Sequence, residues 1–109
     1  MYWVYSVWCD DGSIYTGFSD DVKRRIYAHY HKLKTAAKYT KSHSVTGIAA
    51  IWNCDCESAA RKLEYRIKHL EREKKLLLIN EQERVFDFFP ELSEYNITKN
   101  TDIKFEDCI

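Results

Sequence analysis

An α+β fold is predicted for this 109-residue chain: a small three-stranded antiparallel sheet, made of a β-hairpin plus a third strand, flanked by helices. Three observations carry that expectation. The chain opens on alternating aromatic and β-branched residues broken by a glycine turn, the pattern of a hairpin. Two later stretches repeat apolar residues at helical spacing. Between them, Ile48 to Trp52 is a short apolar run of strand length.

In chain order, residues 2–9 read as the first strand, with Trp3, Tyr5, Val7 and Cys9 on one face and Tyr2, Val4, Ser6 and Trp8 on the other. Asp10-Asp11-Gly12-Ser13 has turn chemistry, because glycine supplies the positive φ that tight loops require. Ile14 to Phe18 returns as the second strand. Gly17 lies inside it, where glycine weakens a strand unless something must approach the backbone closely. Ser19-Asp20-Asp21 signals a helix start, and the helix is expected to reach about Leu33 with Val22, Ile26, Tyr30 and Leu33 buried. Residues 34–47 read as a basic loop, followed by the buried third strand over 48–52.

Asp55 is placed to cap a second helix over roughly Glu57 to Lys75, whose apolar stripe is Ala60, Leu63, Ile67 and Leu70. Asn80 and Glu83 have the spacing of a capping box. Val85, Phe86 and Phe89 should face inward from a short last helix that Pro90 stops, and Ile103-Lys104-Phe105 is a late strand signal. The chain thus divides into a domain over residues 1–80 and a C-terminal helical and acidic extension over 81–109, packed on that domain or following it.

Formal net charge is zero, 17 bases against 17 acids, which by itself argues against a nucleic-acid partner. The distribution reverses that argument. Residues 1–80 hold 14 basic and 9 acidic side chains, net +5, whereas 81–109 hold 3 and 8, net −5. From Val22 through Cys54 there are seven bases and no acid. No apolar run approaches the roughly 20 residues of a membrane helix, and Met1 to Ser6 lack the basic start of a signal peptide. Cys9, Cys54, Cys56 and Cys108 are too scattered for a disulfide scaffold, and Cys54-x-Cys56 lacks two further zinc ligands. Reduced thiols in a cytoplasmic protein are expected.

Several residues stand out against this background. Tyr5 and Tyr15 lie on neighbouring hairpin strands, and Arg25, His29 and Lys32 share a helix face. Glu64 borders a buried stripe, between Ala60 and Ile67, where a carboxylate is costly without a cation. Most tyrosines in half-buried strands are structural, and most helical glutamates are solvated; the ordered combination is what distinguishes these.

That order resembles the GIY-YIG nuclease family. Trp3-Val4-Tyr5 stands at the first signature, with Trp3 in place of its glycine, and Tyr15-Thr16-Gly17 stands at the second. Arg25-x-x-x-His29 is similar to the helix motif, and Glu64 in Ala60-Arg61-Lys62-Leu63-Glu64 to the metal-binding glutamate. Asp11-Gly12-Ser13-Ile14-Tyr15-Thr16-Gly17 and Ala37-Lys38-Tyr39-Thr40 resemble the small stand-alone bacterial branch, and the likeness spans residues 2–79.

The resemblance implies a metal-dependent endonuclease that hydrolyses DNA phosphodiester bonds by a one-metal, tyrosine-assisted mechanism. Tyr5 would be the general base and Tyr15 would hydrogen-bond to it or to the attacking water. Arg25 would hold the phosphate, and His29 would position the phosphate or protonate the leaving oxygen. Glu64 would hold Mg2+ (or Mn2+), a cation that tolerates one carboxylate with several waters, and Asn80 is the nearby match to a late asparagine of some relatives. Gly17 would be structural, letting the strand pass close to the site. A phenol normally titrates near about 10, and the surrounding positive charge is expected to favour the phenolate. Lys32, Lys34, Lys38, Lys41, Arg61 and Lys68 are expected to contact DNA, single- or double-stranded. His31, His43 and His69 are assigned to the solvated surface.

Other readings stay open at this point. The chain is alternatively an inactive nucleic-acid-binding module of the same fold, with Trp3 or Tyr39 stacking bases. It is alternatively a partner-dependent subunit of a DNA repair or processing complex, or one whose acidic 81–109 segment covers the basic face. A module this short also leaves room for a protein partner that targets it.

Overall fold

The computed structural model describes residues 1–109. Strands β1 (Tyr2–Cys9) and β2 (Ile14–Ser19) form the expected hairpin. Gly12, at φ 83°, takes the positive-φ position of the turn. Strand β3 (Val45–Cys54) pairs with the other side of β1, and a fourth strand, β4 (Ile97–Lys99), pairs with β3. The sheet order is β2-β1-β3-β4, with every pair antiparallel. Five helices surround it: α1 (Val22–Tyr30), α2 (Lys38–Ser42), α3 (Glu57–Lys68), α4 (Arg72–Asn80) and α5 (Val85–Phe88).

The sheet therefore has four strands where three were expected. β4 carries one buried residue, Ile97, and so has no alternation to announce it. What makes it a strand is the open edge of β3. Lys99, Thr98 and Ile97 pair with Trp52, Asn53 and Cys54, and the Asn100 N–H donates to the Ile51 carbonyl at 2.7 Å. No strand forms at Ile103-Lys104-Phe105, where Phe105 instead opens a 3-10 turn over Phe105–Asp107.

The helices also depart from their expected bounds. Asp21 caps α1 by accepting from the Arg24 N–H at 3.2 Å, but the helix stops at Tyr30. Tyr30 and Leu33 are 39% and 42% exposed, while Val22, Ile26, Ala28 and His29 are buried, so a histidine takes part of the inward face assigned to apolar side chains. The expected 34–47 loop contains α2 and the first residues of β3. The expected helix from Glu57 to Lys75 breaks between α3 and α4, and its N-cap is Cys56 without a side-chain bond rather than Asp55. Asn80 ends α4, and the next helical turn starts from Glu81 with no side-chain cap, so Asn80 does not cap it.

Two apolar clusters occupy the two faces of the sheet, as period-two alternation requires. Val4, Ala50, Trp52 and Cys54 pack against Ala59, Ala60, Leu63 and Ile67 of α3, together with Leu78, Val85, Phe89, Leu92 and Ile97. Tyr5, Val7 and Ile51 pack on the other face against Val22 and Ile26 of α1, with Val45 and Cys108. Residues 81–109, expected as a helical and acidic extension, thus supply core side chains to both clusters. The Trp52 indole N–H adds a bond to the Gln82 carbonyl at 3.0 Å. All four cysteines are free thiols, and no helix is long and apolar enough to cross a membrane.

Phe89 is fully buried, so Phe89→Ala is expected to lower the unfolding free energy by about 3–5 kcal/mol. Urea denaturation followed by circular dichroism checks this. A change of under about 1 kcal/mol would separate the C-terminal segment from the cooperative core.

Candidate active site

Tyr5 sits in the central part of β1, opposite Gly17 on β2 and Ile51 on β3. Its ring lies over the glycine. A Cβ built on Gly17 would stand 2.5 Å from the Tyr5 Oη, 2.7 Å from its Cζ and 3.3 Å from the Tyr15 Cε2. No side chain fits there, so glycine is what lets the phenol cross the hairpin. Tyr15 pairs with Val7 and therefore stands diagonal to Tyr5, with ring centroids 6.5 Å apart.

Helix α1 brings Arg25 and His29, one turn apart, to these phenols. His29 is fully buried, with its ring centroid 5.7 Å from that of Tyr5 and 5.2 Å from that of Tyr15. Its Nε2 is 2.7 Å from the Tyr5 Oη, and its Nδ1 is 2.7 Å from the Thr40 Oγ1 of α2. With both nitrogens engaged inside the protein, His29 faces Tyr5 and Thr40 and presents no free nitrogen to a phosphate. Arg25 is half-buried beside Tyr5, and its guanidinium donates to the Thr35 carbonyl, tying α1 to the loop after it.

Glu64 arrives from α3, its side chain 21% exposed. Lys68, one turn on, places its Nζ 3.8 Å from the Glu64 carboxylate and 5.3 Å from the centre of the Tyr15 ring. Tyr5, Tyr15, Arg25, His29 and Glu64 therefore share one region, although they come from separate strands and helices.

The electrostatics differ from the expectation of a favoured phenolate. Burial pushes Tyr5 well above the usual phenol range, and the neighbouring Tyr15 and Glu64 add to the rise. The Arg25 guanidinium opposes it without cancelling it. Burial raises Tyr15 as well, with Arg25 again opposing. His29 is lowered to about 4, first by burial and then by the charge of Arg25. Removing a charged form from water outweighs one nearby cation here. At neutral pH a protonated phenol meets a neutral imidazole.

The six expected DNA contacts separate into free and engaged cations. Lys34 and Lys38 are exposed and make no ion pair or side-chain hydrogen bond. The Lys32 Nζ donates to the Lys41 carbonyl at 3.1 Å and the Lys41 Nζ to the Lys34 carbonyl at 3.0 Å, so both brace their own loop. Arg61 pairs with Glu57 at 2.7 Å and lies 5.1 Å over the Phe18 ring, and Lys68 is drawn to Glu64. His31 and His69 are exposed. His43, assigned to the surface, is only part-exposed. It stacks on Tyr39 at 3.9 Å, and its Nε2 is 3.6 Å from Asp11.

Two residues of the site were not anticipated there. Thr40 is buried against His29, and Tyr39 stacks on Tyr15 at 5.8 Å while donating to the Ser13 hydroxyl. Their sequence signal was the Ala37-Lys38-Tyr39-Thr40 run, and Tyr39 was expected to stack bases rather than to pack on Tyr15.

The donor set also bears on a metal. No three His, Cys, Asp or Glu side chains converge into a cage, and Glu64 is the one carboxylate beside the phenols. A hard cation that keeps most of its waters and shares a substrate phosphate fits such a set; a cation needing four protein ligands does not.

Residues 1–76 match the family model of the GIY-YIG catalytic domain, and the chain belongs to that family, a superfamily of nucleases. Its relatives include small UPF0213 proteins. One from Fusobacterium nucleatum is 42% identical over 79 residues, covering 72% of this chain and 77% of its own length. Another from Staphylococcus saprophyticus is 41% identical over 80 residues, covering 73% and 95%. The solution NMR structure of a UPF0213 protein from Bacillus halodurans has 35% identity, covers 85% of this chain and 98% of that one, and superimposes with a TM-score of 0.49.

Gly17→Ala is expected to push the Tyr5 ring off its position and lose the Tyr5–His29 bond. The stability cost should be about 1–3 kcal/mol, read by thermal unfolding and by the His29 ring signals in NMR. A second expectation concerns acid. Because the folded His29 titrates at about 4 against an ordinary 6.5, the unfolded chain takes up the proton first. The neutral ring's contribution is complete above about 6.5 and is lost as the pH falls from there through about 4, up to roughly 3 kcal/mol in all. Unfolding free energies of the wild type and His29→Gln, compared from pH 7 to 4, should converge over that window; a constant difference would exclude it.

Proposed function

We propose that the chain is a metal-dependent endonuclease that hydrolyses DNA phosphodiester bonds, with residues 1–80 as the nuclease module and 81–109 packed on it. The observation that carries this reading is the buried 2.7 Å bond between Tyr5 and His29, flanked by Arg25 and Glu64. A phenol held protonated cannot act as a preformed base, but one bonded to a neutral imidazole can relay a proton. As Tyr5 takes a proton from the attacking water, its own passes to the His29 Nε2. Tyr5 is 1% exposed and Tyr15 more open, so water enters on the Tyr15 side, where that hydroxyl orients it.

Arg25 matches phosphate oxygens with a planar fork. Glu64 would hold Mg2+ or Mn2+ once the charge on Lys68 moves aside. An ion held there would supply positive charge to the phosphate and the departing oxygen. Lys34 and Lys38 contact DNA phosphates first, and Lys32, Lys41, Arg61 and Lys68 contribute as they exchange their internal partners for DNA.

Nicking of plasmid and single-stranded DNA, with and without Mg2+, tests this. Cleavage is expected to vanish with EDTA and in Glu64→Ala, and to fall by about 10²–10⁴-fold in Tyr5→Phe or His29→Ala. Cleavage that survives both EDTA and Glu64→Ala overturns the mechanism. Binding without cleavage across a scan of metals and pH would assign the chain to the inactive binding modules. Replacing Lys34 and Lys38 together should flatten the salt dependence of binding by a slope of about 0.7–0.9 per lost phosphate contact.

A further inference from the structure

We propose that Thr40 is a positioning residue that sets the tautomer of His29, so that Nε2 is the acceptor for the Tyr5 hydroxyl proton. Its catalytic meaning rests on the nuclease reading above; the hydrogen-bond assignment itself does not.

A neutral imidazole carries one N–H, and its partners decide on which nitrogen. The Tyr5 hydroxyl can donate or accept, so the Nε2 side decides nothing. At Nδ1 two groups make opposite demands. The Ala37 N–H, 3.4 Å away, calls for a bare Nδ1, whereas Thr40 Oγ1 lies at 2.7 Å. The Thr40 hydroxyl has a single proton, and its Oγ1 lies 3.1 Å from the Ala37 carbonyl, which can only accept and is the partner the proposal gives that proton. With that proton committed, Oγ1 offers Nδ1 a lone pair, and Nδ1 must carry the hydrogen. Distance favours Thr40, since 3.4 Å is beyond the usual N–H hydrogen-bond range.

No buried side-chain polar atom is left without a partner, and Thr40 and His29 are both 0% exposed. In the proposed assignment every proton runs one way: Tyr5 O–H to Nε2, Nδ1–H to Thr40, Thr40 O–H to the Ala37 carbonyl. The carbonyl bond is the back-bond a threonine makes to the residue three earlier in a helix. It converts α2, a helix of five residues, into the element that orients the ring. In the relay, Nε2 receives the Tyr5 proton while Nδ1–H stays in place. The Thr40 lone pair is already aimed at the imidazolium that results. The role parallels that of the third group in a nucleophile–histidine triad, filled by a neutral hydroxyl.

The full chain labelled with 15N, free of DNA, gives the test at pH 7 through long-range 1H–15N correlations of the His29 ring. The wild type is expected to show the Nδ1–H tautomer. Thr40→Val removes the acceptor while keeping the shape, leaves Nδ1 to the Ala37 N–H, and should switch the ring to Nε2–H. Thr40→Ser should restore Nδ1–H. In the nicking assay Thr40→Val should lose activity by up to the roughly 10²–10⁴-fold a positioned acid–base group supplies, and Thr40→Ser should retain most of it. An Nε2–H ring in the wild type, or an unchanged ring in Thr40→Val, overturns the proposal. If Thr40→Val does not fold, the wild-type and Thr40→Ser spectra still decide. The expected tautomer in a wild type that cleaves nothing would remove the nuclease reading and leave the assignment standing.

Discussion

The Tyr5 phenol occupies the space that a side chain on Gly17 would fill, and the arrangement of the site stems from that exclusion. A ring crossing the hairpin carries its hydroxyl under α1, where it is buried. A buried hydroxyl needs a partner, because an unmade bond in the interior costs more than a made one contributes. His29 meets that need, which places a histidine on the inward face of α1. The second ring nitrogen then needs its own partner, and Thr40 supplies it. One missing Cβ is thus connected, bond by bond, to the folding of the segment between α1 and β3.

The same enclosure sets the charge states. In a low-dielectric pocket a chain of neutral hydrogen bonds is tolerated far better than a phenolate or an imidazolium. Tyr5, His29 and Thr40 form such a chain, while the permanent charges of Arg25, Glu64 and Lys68 stand toward the rim. Glu64 and Lys68 satisfy each other meanwhile, at 3.8 Å in a partly solvated pair of modest strength.

The family match ends at residue 76, but the packing does not. Val85, Phe89, Leu92 and Ile97 join the cluster around Trp52 and Leu63, and Cys108 joins the one around Tyr5. The acidic charge of this segment is partly matched locally. Glu91 pairs with Arg66 of α3, Glu83 lies 3.8 Å from Lys99, and Arg84 bonds Glu81 and Asp87. The division into a basic body and an acidic tail is real along the chain, yet the fold interleaves the two halves in a shared core.

What the sequence determined by itself was whatever short-range rules encode. The hairpin, the Asp21 cap and the two sheet faces come from turn chemistry and periodicity, while the order of Tyr5, Tyr15, Arg25, His29 and Glu64 was legible as a family resemblance. Those rules act over a few residues and survive in any tertiary context. Tertiary structure alone decided the rest. β4 exists because β3 has an open edge, the local Glu64–Lys68 pair stands beside Tyr15 because α3 packs across the hairpin, and Thr40 reaches His29 because a loop folds back. It also set the sign of the Tyr5 shift, since the nearby cation was legible in the sequence and the depth of burial was not. Desolvation depends on everything packed around a group, and most of those neighbours lie far away along the chain.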